Sequence, residues 1–114
     1  MTIDWNNLLH EIETGVLNAA VKDAEIYAAQ ALSDAAEFIA ASTESVAKYI
    51  GLYTTEQITA SELKSLLLGL GELCELQGLT QAGLAEVELE KIRNTILQTL
   101  ISIVGTAVKS AVAG

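Results

Sequence analysis

Proline occurs nowhere in the 114 residues, so nothing obliges a helix to stop except glycine and the short polar residues that compete for backbone hydrogen bonds. Apolar residues recur at helical spacing along this uninterrupted background. Val and Ile never alternate with polar residues over a strand-length stretch, which is the pattern a half-buried strand requires. Ala and Leu dominate a composition that is 51% apolar, and they lose little side-chain entropy when a helix forms. The reading is therefore all-α, in one domain spanning residues 1–114. Helices are expected over about 4–50, 56–77 and 81–112, packed as antiparallel helical hairpins with one long N-terminal helix, two shorter ones and coiled-coil-like contacts.

The first segment has Asp4 placed as its cap and only Gly15 inside it. At about 1.5 Å per residue an unbroken helix here would approach 70 Å, which leaves a bend open near Gly15 or at Ala41 to Ser45. Leu17, Val21, Ala24, Ala28, Ala31, Ala35, Phe38 and Ser42 fall at alternating steps of four and three, the spacing of a seam that faces a partner helix. Ala24, Ala28, Ala31 and Ala35 at its middle would let a neighbouring backbone come close. Asp34 is read on the polar side, with Lys22, Glu25, Glu37 and Lys48. Gly51 to Thr55 reads as a turn, with Thr54, Thr59 or Ser61 to cap the next helix. Gln77 to Thr80 reads as a second turn, with Gly78 after a helix end and Thr80 as cap. Gly69 and Gly71 lie inside a leucine stripe, where close helix packing would use their missing side chains.

The last helix carries two apolar rows: Leu89, Ile92, Ile96, Leu100, Ile103, Ala107 and Ala111, and beside it Leu97, Ile101, Val104, Val108 and Val112. Together they make a stripe wider than the roughly 100° that a surface helix needs to dock on one core. Ile92, Ile96, Leu97, Leu100, Ile101, Ile103, Val104 and Val108 are therefore the expected oligomer interface. The long first helix should overhang the other two and leave further apolar surface to cover.

Chemistry-bearing residues are sparse. His10 is the one imidazole, and the His-Glu-x-x-His and Glu-x-x-His patterns of helical metal sites are both missing. The pairs Glu72 with Glu75 and Glu86 with Glu90 share helix faces and read as solvated. Cys74 has no base beside it, and neighbouring Glu would raise its thiol pKa. Gly69-Leu70-Gly71 lacks the strand and the Lys of a phosphate loop. Trp5, Tyr49 and Tyr53 would close the ends of the bundle or anchor an interface. No catalytic residue, no metal ligand, no cofactor and no small-molecule substrate is expected, and the chain is read as not an enzyme.

Fifteen acidic and six basic residues give a formal charge of −9, a field that repels nucleic acid. The charge is uneven: residues 1–50, 51–90 and 91–114 carry −6, −6 and +3. With one cysteine and no secretion signal in Met1 to Trp5, a cytoplasmic location is expected. The functional expectation is a structural or scaffolding protein that assembles with itself as a homo-oligomer through apolar helix faces. The alternative is a membrane-associated amphipathic helical protein, pore-forming or phage-related, using the segment flanked by Lys91, Arg93 and Lys109.

Overall fold

The computed structural model describes residues 3–22 and 24–113, apart from the side chains of residues 112 and 113, so the expectation for Val112 lies outside the described residues. Those residues are helix and turn without a strand. The helices are α1 (Trp5–Lys22), α2 (Ala28–Thr54), α3 (Ala60–Gly69), α4 (Gln77–Gln81) and α5 (Glu86–Ala113), with 3-10 turns at Glu25–Tyr27 and Leu70–Leu73.

Local capping chemistry fixes several of these ends. The Asp4 carboxylate accepts from Asn7 N–H at 3.2 Å. Thr59 and Glu62 form a reciprocal capping box that opens α3, satisfying two backbone donors that a helix start leaves free. α2 runs through Gly51 and ends at Thr54, later than expected, because Ile50 is buried and Tyr53 packs against the core. The left-handed residue that closes it is Glu56, at φ 62°. Glu56 N–H donates to Tyr53 and Gln57 N–H to Leu52, the bond pair that seals a helix whose following residue turns left-handed.

The single long N-terminal helix is not formed. It breaks between Lys22 and Ala28, at neither Gly15 nor Ser42, and the chain doubles back so that α1 packs along α2. Glu25 takes φ 51° there, a left-handed conformation that costs a non-glycine residue about 1–2 kcal/mol. The return is burial: Leu8, Ile12, Val16 and Ala20 of α1 and Ala31, Ala35, Phe38, Val46 and Ile50 of α2 all enter one core. Fully burying one large aliphatic side chain contributes roughly 1.5–3 kcal/mol, so a few such residues outweigh the strained turn.

Shared linings show the helix directions. Asp4, Asn7 and Glu11 of α1 and its approach border a groove with Thr106, Ala107 and Ser110 of α5. Ala24 and Tyr27, just past α1, border another with Glu88, Lys91 and Ile92. α1 and α5 thus run in opposite directions. α3 also opposes α5: Ala60 and Lys64 lie near Val108 and Lys109, whereas Gly71 lies against Leu97. The body measures 44 × 23 × 19 Å, and α5, at about 1.5 Å per residue, spans nearly all of its length.

This arrangement accounts for the wide stripe on α5. The break supplies a fourth packing helix, and the two apolar rows meet different neighbours. Ile103 faces Gly15 of α1; Ile101 and Val108 border α3; Ile92, Ile96, Leu100 and Val104 are at most 1% exposed inside the core. No overhang remains, since the first segment is folded back on itself.

Candidate functional site: an apolar groove between α3 and α5

The face expected to meet other copies is largely interior. Ile92, Ile96, Leu97, Leu100, Val104 and Val108 are buried in the subunit's own core, and only Ile101 and Ile103 are half-buried. Ile92, Ile96, Leu100 and Val104, at most 1% exposed, are consequently not available to a partner while the chain is folded. Of the four alanines read as a close-packing seam, Ala24, Ala31 and Ala35 are buried and Ala28 is half-buried. Ala24 belongs to the turn between α1 and α2 instead of to a continuous helix.

What the fold leaves open lies beside that core. A groove of about 480 Å³ runs between α3 and α5, bordered by Tyr53, Ala60, Leu63, Lys64, Leu67, Ile101, Gly105, Val108 and Lys109. Small residues create it: Ala60 and Gly105 occupy positions where longer side chains would fill the space. A Cβ built at Gly105 meets no heavy atom within 4 Å. Leu63, Leu67 and Val108 are buried and form its apolar wall, while the two ammonium groups come from exposed lysines in a chain of net charge −9. Lysine can lay its methylene stem along apolar surface with the charge in water. The groove can therefore accept an apolar group that carries negative charge at its edge.

The buried polar constellation is of a different kind. Asp34 is 5% exposed, and its two carboxylate oxygens accept from the N–H groups of Gly78 and Leu79, each at 2.8 Å. A Cβ at Gly78 would stand 2.8 Å from Asp34 Oδ1, so glycine is required for the approach. Gly78 and Thr80 do not act as helix stop and cap. Instead Leu76 turns left-handed at φ 55°, α4 starts at Gln77, and Gly83 at φ 98° provides the turn before α5. Arg93 adds a second tie, donating from Nε to the Cys74 carbonyl at 2.9 Å and pairing with Glu90 at 3.2 Å. Among the described residues no buried side-chain nitrogen or oxygen lacks a partner. With both oxygens of Asp34 engaged by backbone, this carboxylate holds structure.

Cys74 is 2% exposed. Its thiol is pushed up to about 11, chiefly by burial, with Arg93 acting in the opposite direction and Asp34 adding a smaller rise. The group is thus a neutral thiol at physiological pH, a poor nucleophile. His10 is exposed on α1, as are Glu72, Glu75, Glu86 and Glu90. Among the described residues no three His, Cys, Asp or Glu side chains gather in a way that could hold a metal ion. No helix of the described residues is long and apolar enough to cross a membrane. Trp5, Tyr49 and Tyr53 pack against the core from its margins.

Comparison with protein-family models, with curated proteins and with solved structures gives no match to this chain.

Two features escaped the sequence reading, which set Asp34 on the polar side of its helix although it is buried. Asp34 lies three residues after Ala31 and four before Phe38, which places it on the apolar face by helical spacing; a carboxylate there needs buried donors. The groove had no local signal, because Tyr53, Leu63, Lys64, Leu67 and Gly105 come from three helices.

Proposed function

We propose that this chain is a non-catalytic structural module that works by associating with copies of itself, and that the α3–α5 groove is one side of the contact. The observation that supports it is an open apolar groove with positive charge in its lining on an otherwise acidic molecule. A small-substrate pocket generally encloses most of its ligand and aims several fixed polar groups at it. This groove offers instead an apolar wall and two flexible lysines, features suited to a side-chain cluster on another acidic surface. Of the α5 residues expected at an interface, only Ile101 and Val108 line this groove; Ile92, Ile96, Leu97, Leu100, Ile103 and Val104 have no part in this reading.

Size-exclusion chromatography with light scattering tests it. The mass should exceed the 12.0 kDa of one chain and grow with concentration, and Gly105→Trp, which occupies the groove, should return it to one chain. A wild-type protein that stays monomeric at every concentration and salt level would reject the reading. Leu100→Asp is unsuited to this purpose, since Leu100 is fully buried and an unpaired charge there would unfold the subunit. The same burial weighs against the lipid-binding alternative: α5 could offer Ile96, Leu100 and Val104 to a membrane only by leaving the core.

A further inference from the structure

The groove explains one half of a contact, and the other half must be a surface of opposite character elsewhere on the molecule. Ile26 and Val87 are the two large apolar residues that the fold leaves most open, at 85% and 81% exposure. They are far apart in sequence yet lie at one end of the body. Their flanking residues Glu25 and Tyr27 on one segment, and Leu84, Glu88 and Lys91 on the other, border a common cleft. The exposed carboxylates of Glu25, Glu86 and Glu88 adjoin the two aliphatic side chains in sequence. Leaving large aliphatic groups this exposed forgoes roughly 1.5–3 kcal/mol each relative to burial, and neither contributes to the core of its own subunit.

Resting on the self-association reading above, we infer that this acidic aliphatic end of one copy docks in the α3–α5 groove of the next, head to tail. Apolar Ile26 and Val87 meet the wall formed by Leu63, Leu67 and Val108, and the flanking carboxylates meet Lys64 and Lys109. Eighteen residues of α5 separate Val87 from Gly105, about 27 Å of helix, so a subunit cannot place its own end in its own groove. A patch complementary to a pocket elsewhere on the same molecule makes a heterologous contact, which propagates into a ring or an open filament. Low salt should strengthen it, since its charges are exposed and subject to screening.

Two variants separate the faces. Ile26→Asp combined with Val87→Asp disables the end without touching the core, and Gly105→Trp disables the groove. Circular dichroism should show both folded as wild type. Each variant alone should run as one chain, whereas an equimolar mixture should give a two-chain species and nothing larger, because one working end and one working groove remain. Lys64→Glu with Lys109→Glu should also abolish assembly, and Glu86→Lys with Glu88→Lys on the other component of a mixture should restore it. If the wild type assembles and the end variant assembles equally well, this inference falls while self-association stands. If the mixture stays monomeric, the pairing of end with groove is overturned. If the wild type is monomeric and native mass spectrometry finds an amphiphile bound to it, the groove belongs to a small ligand and both readings are lost.

Discussion

Two glycines mark opposite conditions on the flanks of α5. On the flank facing α1, a Cβ at Gly15 would stand 2.5 Å from Ile103 Cδ1 and 3.4 Å from Thr99 Cγ2. On the flank facing α3, a Cβ at Gly105 would meet nothing within 4 Å. Glycine in a helix interior costs roughly 0.5–1 kcal/mol relative to alanine at either place. At Gly15 the cost is offset by the close approach of two helices and the dispersion contacts it permits. At Gly105 no contact in the subunit offsets it. Packing within the subunit thus accounts for glycine at position 15, whereas beside Gly105 the subunit leaves open space.

Several measurements would break or sharpen that contrast. The largest effect belongs to the core that both flanks share: Leu100→Ala should lower unfolding free energy by about 2–5 kcal/mol, as cavity-forming substitutions do, read from urea denaturation. A loss under 1 kcal/mol would mean that Leu100 is not enclosed. Asp34→Ala should come next, with roughly 1–3 kcal/mol lost for each buried donor left unpaired. Faster hydrogen exchange at the Gly78 and Leu79 amides would locate the effect away from both flanks.

The same substitution at the two glycines then tests the contrast itself. Gly15→Leu should destabilise by about 1–3 kcal/mol through overpacking against Ile103. Gly105→Leu should stabilise the subunit by up to about 1 kcal/mol through helix propensity while reducing assembly. Equal signs at the two sites in thermal unfolding would refute the distinction.

A further effect of similar size comes from Cys74 and is independent of either flank. Burial pushes the folded thiol up to about 11 from its ordinary 9.0, so the folded chain retains a proton that the unfolded chain releases as pH rises above 9. The associated stability is complete below pH 9 and disappears between pH 9 and 11, amounting to on the order of 1 kcal/mol by pH 10. Cys74→Ala should remove that component of the pH dependence. Alkylation of the native thiol near pH 8 should be slow until denaturant is added.

The elements that sequence reasoning located are those set by neighbours along the chain. Asp4 and Thr59 cap helices because the donors they satisfy lie three residues away. The apolar spacing from Leu89 to Val108 identified residues that share a face, and most of them are buried. Of the two glycines read as close-packing, Gly71 is one, since a Cβ there would stand 2.8 Å from Leu97 Cδ1, whereas a Cβ at Gly69 meets nothing within 4 Å. What that spacing could not supply was the partner. A wide stripe looks the same whether a second subunit covers it or two helices of its own chain do.

Sequence alone determined that this chain is helical and which face of α5 is apolar, because proline-free stretches, apolar spacing and local caps act within a few residues; in α1 the buried face is Leu8, Ile12, Val16 and Ala20, with Leu17 and Val21 of the expected seam only half-buried. Tertiary structure decided where the first segment breaks, that Asp34 would hold an amide 44 residues away, and that α5 would pack tightly on Gly15 yet leave open space beside Gly105. Those outcomes depend on the total burial won when distant segments meet, and no window along the chain contains that sum.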